Sequence, residues 1–266
     1  MLIFPMVADL SHWDPAYDYA KVKANGIAGV IYKATQGQDI TDDTYVNQRH
    51  DARAEGLKWG AYHFADGSST DGQVKNFMRF CCPDPDELFC LDWEDNGGNR
   101  MSMSQAKDWI TQVETQLGRP GECVIYSGNT AKELINGDDP FFGSRRLWLC
   151  QYTSGTPTWQ ESWQVYWLWQ YTDGQNGVGP HSIDGIGHCD NNSYDQDGGA
   201  EQLIAEWASG KQQPAPPPPP PPPGPTQETV HIIVAAPKDV IVKVHQTVLG
   251  AKRPPKPNRK REAGVE

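Results

Sequence analysis

The stretch ELFCLDWE (87–94) decides the reading of this sequence, because an apolar, strand-like run ends in two carboxylates. Side chains alternate between the two faces of a strand, so Asp92 and Glu94 share one face and Trp93 takes the other. At about 3.3 Å per residue, their Cα atoms should lie about 6.5–7 Å apart. This pattern indicates a functional pair at the end of a buried strand. A plain acidic turn that stops the strand is the alternative on this stretch alone.

Other strand-like runs in the chain end in polar residues in the same way. The predicted strands are 2–9, 27–34, 58–65, 87–94, 122–127, 147–152, 166–171 and 186–190. Helix-like stretches lie near 17–25, 43–55, 70–80 and 104–117. We expect Ser104 to be the N-cap of the last of these helices and Gly118 to end it. Strand–helix alternation predicts an α/β fold with a parallel sheet, here an irregular TIM-like β/α barrel of about eight strands with few helices in its last part.

The C-terminal ends of the strands carry the chemistry in barrels of this type. Asp9 and Asp190 end the first and eighth predicted strands, which become neighbours when a barrel closes. Together with Asp92 and Glu94 they would place four carboxylates at one mouth. Close carboxylates make each other harder to ionise, so one tends to keep its proton, as cleavage of a glycosidic bond requires. A metal cluster is a weaker alternative, since the set has no recognised ligand spacing.

Aromatic residues accompany these acids, and their flat apolar rings are suited to the C–H faces of sugars. They are Trp13, Tyr62, Phe64, Tyr126, Trp148, Trp169 and Tyr171. For each one taken singly, a place in the core is the more frequent role. The aromatic residues at strand ends are the better candidates for sugar binding.

The charge distribution separates the body of the chain from its end. Of the net charge of −11, residues 227–266 contribute +4, from eight Lys and Arg and four Asp and Glu, which leaves −15 for residues 1–226. An acidic body argues against nucleic acid as a partner. No window approaches 18 uncharged apolar residues, so no transmembrane segment is expected. The first residues lack the pattern of a signal peptide, which predicts synthesis in a cytoplasm and, if the protein is exported, export by another route.

Composition divides the chain into three parts. Residues 1–210 form the predicted catalytic domain, and residues 211–226 form a linker with eight consecutive prolines, typical of a stiff polyproline II spacer. Residues 227–266 are first β-rich and then basic over 251–261, which predicts either a disordered tail or contact with an anionic envelope surface or a protein partner. We expect the six cysteines to be mostly buried and free, with a disulfide through Cys81 or Cys82 left open.

At this point the sequence resembles a known family, the family 25 glycoside hydrolases or Chalaropsis-type lysozymes, which include many phage endolysins. The motifs that carry the resemblance are DLSHWD (9–14), GVIYKATQG (29–37), GAYHF (60–64), LDWED (91–95), VIYSG (124–128), LWLCQY (147–152), WLWQY (167–171) and CDNNSY (189–194). Each motif is weak alone, but all eight in this order are specific. They extend from about Val7 to Tyr194.

The resemblance implies a barrel enzyme that cuts the β-1,4 bond between N-acetylmuramic acid and N-acetylglucosamine in peptidoglycan, without a metal or an organic cofactor. It implies that Glu94 is the acid/base and that Asp92 steadies an intermediate formed by the acetamido group of the substrate. Asp9 and Asp190 correspond to the other active-site acids of the family. The implied substrate-binding residues are Tyr62, Tyr126, Trp148, Gln170 and Asn192. Gln36 stands where many members have Glu, so one polar contact near the mouth differs.

Three other readings stay open at the level of sequence. The enzyme could be carried in the virion instead of acting as an endolysin that releases phage. The barrel could bind wall glycan without catalysis, although its four acids are intact. A chitinase-like β-N-acetylglucosaminidase would use a similar acid pair, but its longer DxxDxDxE signature is missing from this sequence.

Overall fold

The computed structural model describes residues 4–208. Its strands are β1 Val7–Leu10, β2 Gly29–Gln36, β3 Ile40–Thr41, β4 Lys58–Phe64, β5 Leu88–Asp92, β6 Val124–Ser127, β7 Leu147–Cys150, β8 Leu168–Thr172, β9 Ser182–Ile183, β10 Gly187–His188 and β11 Asp190–Ser193. Its helices are α1 Tyr19–Ala24, α2 Tyr45–Ala54, α3 Thr70–Phe80, α4 Met103–Leu117, α5 Asn129–Leu134, α6 Pro140–Gly143 and α7 Gly199–Ala205. The predicted linker (211–226) and tail (227–266), and the end of the predicted catalytic domain at residue 210, lie outside the described residues.

The strands close into a barrel. Going round it, the order is β1, β11, β8, β7, β6, β5, β4 and β2, and a parallel pairing of β1 with β2 closes the ring. The short strand β3 pairs in the antiparallel direction with the C-terminal end of β2, at Thr35 and Gln36. The predicted irregular β/α barrel is thereby confirmed, and the mouth lies at the C-terminal ends of its parallel strands.

The closing strand differs from the prediction. The predicted eighth strand (186–190) contains β10, which pairs with β9 in a separate two-stranded sheet, and the barrel closes instead through β11. β11 is antiparallel to both of its neighbours, β8 and β1. No helix lies between β8 and β11 to carry the chain back to the other end of the barrel, so β11 starts at the mouth and runs away from it. Asp190 therefore reaches the mouth as the first residue of an antiparallel strand.

The helices follow the prediction in the first part of the chain and become short after residue 120, as expected. The helix predicted over 70–80 has those bounds in the structure. The N-cap of α4 is Ser102 and not Ser104, because Ser102 and Gln105 form a capping box in which each side chain bonds to the backbone of the other residue. Gly118 ends α4 in a left-handed conformation with φ 67°, as predicted.

Two apolar layers hold the barrel together. One fills its interior, with Val7, Ile31, Leu88 and Val124 facing inward from four strands. The other lies between the sheet and the helices and is rich in aromatic residues, which include Trp59, Phe77, Trp93 and Trp109. Alternate residues of each strand supply the two layers, which is the pattern of a sheet buried on both faces.

The segment after α7 closes the end of the barrel opposite the mouth. The Trp207 ring packs so close to Gly29, the first residue of β2, that a Cβ there would lie 2.5 Å from it. The guanidinium group of the buried Arg146 donates to the carbonyl oxygens of Glu206 at 2.8 Å and Trp207 at 3.2 Å. Because these residues fill the end of the barrel opposite the mouth, a substrate can approach the interior only through the mouth.

All six cysteines are free, so neither Cys81 nor Cys82 forms a disulfide. Cys82 is exposed and Cys150 is half-buried, whereas the other four are buried, largely as expected. No helix within residues 4–208 combines the length and the apolar character that crossing a membrane would require.

Candidate active site

A polar cleft of about 310 Å³ opens at the mouth of the barrel. Its lining residues are Asp9, Tyr62, Asp92, Glu94, Tyr126, Trp148, Gln170 and Asp190. The structure thus brings together all four predicted acids and four of the five predicted substrate-binding residues. The fifth, Asn192, is fully buried and lies beneath the cleft, where it bonds to residues of the wall.

The predicted pair is placed by the end of β5. Asp92 is the last residue of the strand and is buried, and its Oδ1 atom has no hydrogen-bond partner. Trp93 points to the opposite side, where its indole N–H donates to the carbonyl oxygen of Met101 at 2.9 Å. Glu94, beyond the strand, returns to the cleft, so the alternation predicted from sequence continues past the strand's end.

Both carboxyl groups of this pair hold their protons more strongly than usual. Burial raises the pKa of Asp92 well above its ordinary value, and the neighbouring charge of Glu94 raises it further. Burial also raises the pKa of Glu94, although less strongly, while the cation of Lys33 lowers it. An acid that stays protonated beside a second carboxyl group can serve as a general acid.

Lys33 lies near the end of the predicted strand 27–34, among the polar residues that mark the mouth, but the sequence assigns it no role in the site. It lies on the inner face of β2, two residues beyond Ile31, and burial lowers its pKa while Asp92 and Glu94 raise it. Its ammonium group donates to Oε1 of Gln36 at 2.7 Å and lies 4.9 Å from the centre of the Phe64 ring. Because residue 36 is Gln here, where many members of the resembled family have Glu, the hydrogen-bond partner of Lys33 is neutral. Side chains alternate along a strand, so Lys33, two residues after the inward-facing Ile31, could have been predicted to face inward.

The second pair of acids lies across the seam of the barrel. Asp9 of β1 and Asp190 of β11 are register partners. Burial raises the pKa of Asp9 to about 7, while hydrogen bonds from Asn192 and Gln170 act in the opposite direction. Burial, followed by the charge of Asp9, raises the pKa of Asp190 to about 10. A hydrogen bond between the two carboxyl groups favours the ionised form of Asp9 and the protonated form of Asp190.

Amide side chains support this second pair from below. The amide of Asn192 donates to Oδ2 of Asp9 at 2.7 Å and to the carbonyl oxygen of Val7 at 3.1 Å. Its Oδ1 accepts the indole N–H of Trp148 at 2.6 Å. Gln170 donates to Asp9 and Asp190 from the neighbouring strand.

A larger groove of about 1160 Å³ adjoins the cleft and shares Glu94 with it. Its other lining residues are Asp95, Arg100, Gly128, Asn129, Thr130, Glu133, Cys150, Gln151 and Tyr152. Arg100 forms an ion pair with Glu133 at 2.5 Å. Tyr152 is another residue to which the sequence assigns no role. The predicted strand 147–152 includes it, whereas β7 ends at Cys150 and Tyr152 lies in the loop that follows. The groove and the cleft meet at Glu94, which lines both.

The remaining aromatic candidates divide between the site and the core. Trp169 and Tyr171 belong to the layer between the sheet and the helices, so they do not face the cleft. Phe64 lies beside Lys33 at the end of β4. Trp13 follows β1 and is 83% exposed. Among residues 4–208, no group of three or more His, Cys, Asp or Glu side chains is arranged to hold a metal ion.

Known proteins are similar to this chain in sequence and in fold. The family model for glycosyl hydrolases family 25 matches residues 8–179. Lysozyme M1 of Streptomyces globisporus is 26% identical over 213 residues, which cover 74% of this chain and 69% of that protein. The crystal structure of the bacterial lysozyme from Streptomyces coelicolor has a TM-score of 0.66 at 25% identity, covering 76% of this chain and 96% of that one. The muramidase from Acremonium alcalophilum has a TM-score of 0.64 at 28% identity, covering 78% and 99%.

Proposed function

This chain belongs to the family 25 glycosyl hydrolases and is a peptidoglycan hydrolase of the muramidase type, and from that premise we propose how its residues divide the reaction. The bond that is cut joins C1 of N-acetylmuramic acid to O4 of N-acetylglucosamine. Glu94 is the acid and later the base, and Asp92 acts on the acetamido group of the muramic acid. Asp9 and Asp190 line the same cleft and, as a pair, supply negative charge to it.

In the first step, Glu94 donates its proton to the glycosidic oxygen as the bond from that oxygen to C1 breaks. The acetamido carbonyl oxygen of the same sugar attacks C1, and the N-acetylglucosamine end leaves as an alcohol. The result is a cyclic oxazolinium ion. Asp92 acts here in its ionised form, which the nearby Lys33 cation and the positive charge of the oxazolinium ion favour over the raised pKa of the buried carboxyl group. It accepts a hydrogen bond from the acetamido N–H and stabilises the positive charge.

In the second step, water attacks C1 from the side that the leaving group vacated. The Glu94 carboxylate takes a proton from this water, the ring opens back to the acetamido group, and the acid is restored. Two displacements at C1 give overall retention of configuration. Proton donor and proton acceptor are thus the same side chain in two protonation states.

The observation that carries this proposal is the unpartnered Oδ1 atom of the buried Asp92. A buried polar atom without a partner is costly, and a catalytic role is one of the explanations for keeping it. A substrate N–H would satisfy it. Glu94 supports the same arrangement, because it lies where the cleft and the groove meet and so beside any bond that crosses between them.

The experiment is digestion of purified peptidoglycan by the full chain, followed by borohydride reduction and mass spectrometry of the products. We expect new muramitol ends with the wild-type chain and none with Glu94→Gln. Glu55→Gln is the matched control, because Glu55 is exposed at the end of α2 and precedes the strand that starts opposite the mouth. Glucosaminitol ends would reassign the enzyme as a glucosaminidase. If the protein bound peptidoglycan but produced no new reducing ends, a barrel that binds glycan without catalysis would be favoured.

The biological role is a finer part of the proposal: the enzyme degrades the host wall to release phage. All six cysteines are free thiols and one of them is exposed, which is typical of a protein built in a reducing cytoplasm. Such an enzyme needs a separate route to the wall. An enzyme carried in the virion is the alternative.

Expression in bacterial cells whose wall the purified enzyme digests separates these roles in part. We expect cells to stay intact while the protein accumulates and to lyse when the inner membrane is permeabilised. Lysis without permeabilisation would contradict the need for a separate release route. Mass spectrometry of purified phage particles then decides between the two, since the protein's presence there would favour the virion-associated role.

The basic stretch 251–261 supports a second finer proposal, that the end of the chain binds the anionic surface of the envelope. We expect the full chain to sediment with purified walls more than residues 1–210 do, with a difference that disappears at high salt. Equal sedimentation at low salt would remove the proposal. A salt-independent difference would point to a protein partner.

A further inference from the structure

Gln170 lies at the centre of the hydrogen-bond network in the mouth. It faces inward from β8, is 1% exposed and contacts two acids and two tyrosines. Sequence reasoning assigns it only as a substrate-binding residue. Its contacts within the protein already use both ends of its amide, which indicates a different role.

Two tyrosines fix the orientation of this amide. The hydroxyl groups of Tyr126 and Tyr152 each donate to Oε1 of Gln170 at 2.8 Å. With its oxygen held by two donors, the amide must turn its N–H groups the other way. Nε2 lies 3.1 Å from both carboxyl oxygens of Asp9 and 3.2 Å from Oδ2 of Asp190. The reverse orientation would set an oxygen against carboxyl oxygens.

More side-chain amide groups donate hydrogen bonds to Asp9 than to Asp190. Asp9 receives the amide of Asn192 at 2.7 Å as well as that of Gln170, whereas Asp190 receives only Gln170 from these two. Register pairing holds the two acids side by side. Two close carboxylates cannot both ionise easily, and the proton goes to the one with fewer donors. The geometry therefore leaves the charge on Asp9 and the proton on Asp190.

Other charged or titratable groups interact with this pair from several strands and loops around the mouth. They are Asp14 after β1, Tyr62 on β4, Cys90 and Asp92 on β5, Tyr152 after β7, Asp173 after β8 and Cys189 before β11. A second negative charge on the pair would face further acids, which reinforces the sharing of one proton.

We propose that Gln170 is a positioning residue of the reaction: its amide, oriented by Tyr126 and Tyr152, holds Asp9 and Asp190 as a pair that shares one proton and presents one negative charge to the cleft. Tyr152 also lines the adjoining groove and is 38% exposed. A glycan strand in that groove contacts Tyr152 and so acts on the pair through Gln170. The inference rests on the proposed function for its role in catalysis, but the pair itself is testable without substrate.

The first test is a titration of the Asp carboxyl groups by ¹³C NMR on the full chain, with Asp9→Asn and Asp190→Asn used to assign the signals. Gln170→Glu removes the N–H donors and adds a carboxyl group, so we expect the pKa of Asp9 to rise by about one unit. Tyr152→Phe is the second variant, since it removes one orienting hydroxyl at a half-exposed position and should fold even if Gln170→Glu does not. We expect it to move Asp9 in the same direction by less.

The matched control is Gln160→Glu. Gln160 is buried and donates to the carbonyl oxygen of Gly137 at 2.6 Å, in a region outside the cleft and the groove. We expect it to alter the melting temperature without moving the Asp9 titration. An unchanged Asp9 titration in both Gln170→Glu and Tyr152→Phe would overturn the proposal. Two independent Asp9 and Asp190 titrations in the wild type, each near its ordinary value, would do the same.

The kinetic test separates positioning from direct substrate contact. In Gln170→Glu and Tyr152→Phe we expect kcat to fall and the acid limb of the pH–activity profile to move to higher pH, because the charge on Asp9 is lost at a higher pH. A rise in KM with an unchanged kcat and an unchanged profile would show a substrate contact instead. If the wild-type chain released no muramitol ends, the proposed function would fail while the NMR result on the pair would stand.

Discussion

Asp9 and Asp190 are register partners in one of the two antiparallel pairings of the barrel, the one between β11 and β1. The reversed direction of β11 is what places Asp190 at the mouth as the first residue of its strand. A parallel strand beginning at that residue would start at the opposite end of the barrel. The irregularity of the fold and the chemistry of the site therefore have the same structural origin.

The paired acids should cost the protein stability at neutral pH. The pKa of Asp190 is raised from 3.8 to about 10, so between these values the folded state holds a proton that the unfolded state has lost. The free energy of unfolding then falls as pH rises, by at most about 1.4 kcal/mol per pH unit for this group. We expect Asp190→Asn to flatten this slope and to exceed the wild type in stability at pH 8 by at least about 1 kcal/mol, while its activity falls. Denaturant unfolding from pH 4 to pH 9 measures this, and parallel curves for the two proteins would contradict it.

Glu94 should be required for chemistry and not for folding. Loss of a general acid typically lowers the rate by about 10²–10⁴-fold, and we expect Glu94→Gln to fall in this range or below detection. Its melting temperature should equal or exceed that of the wild type, because burial already raises the pKa of this carboxyl group. A turbidity assay on purified walls with parallel thermal melting checks both points. Retained lysis at an unchanged melting temperature would remove Glu94 from the mechanism.

The parts of the site that sequence could predict are those that depend on one strand. Alternation along β5 places Asp92 and Glu94 together, and the amphipathic period of α3 gives its bounds. Ser102 and Ser104 are both suitable N-caps, and Gln105, three residues after Ser102, decides between them by completing the capping box.

The parts that could not be predicted depend on contacts between distant segments. The direction of β11 follows from a loop without a crossover helix, and no local pattern states it. The role of Lys33 depends on two carboxyl groups about 60 residues away in the chain, and that of Tyr152 on the amide of Gln170. These pairings appear only when the barrel has closed.

Lys33 should set the alkaline side of the pH–activity profile. Its positive charge lowers the pKa of Glu94 and of Asp92. Without it, Glu94 would keep its proton to a higher pH, so we expect the alkaline limb of the profile of Lys33→Met to move upward by about one pH unit. Lys75→Met is the matched control, because Lys75 is exposed on α3. A downward shift, or an equal shift in the control, would show that Lys33 does not act on the acid.

The catalytic domain should fold without the linker and tail. We expect residues 1–210 to melt cooperatively at the temperature of the full chain's main transition, since the described barrel is complete by residue 208. Residues 1–198 lack α7 and Trp207 and should not melt cooperatively. Circular dichroism and calorimetry on the three chains measure this. A lost transition in 1–210 would show that the tail contributes to the fold, and a native-like transition in 1–198 would show that the closing segment does not.

Trp207 should account for much of the stability that this closing segment supplies. Its ring fills the space above Gly29, and its indole N–H donates to the carbonyl oxygen of Trp59 at 2.8 Å. Replacing a buried tryptophan by alanine leaves a cavity and costs about 3–5 kcal/mol, so we expect a loss of this size in Trp207→Ala. Trp13→Ala is the matched control, because Trp13 is exposed and its replacement should change the free energy of unfolding by less than about 0.5 kcal/mol. Equal losses in the two variants, measured by urea unfolding, would mean that the end of the barrel opposite the mouth is not closed by Trp207.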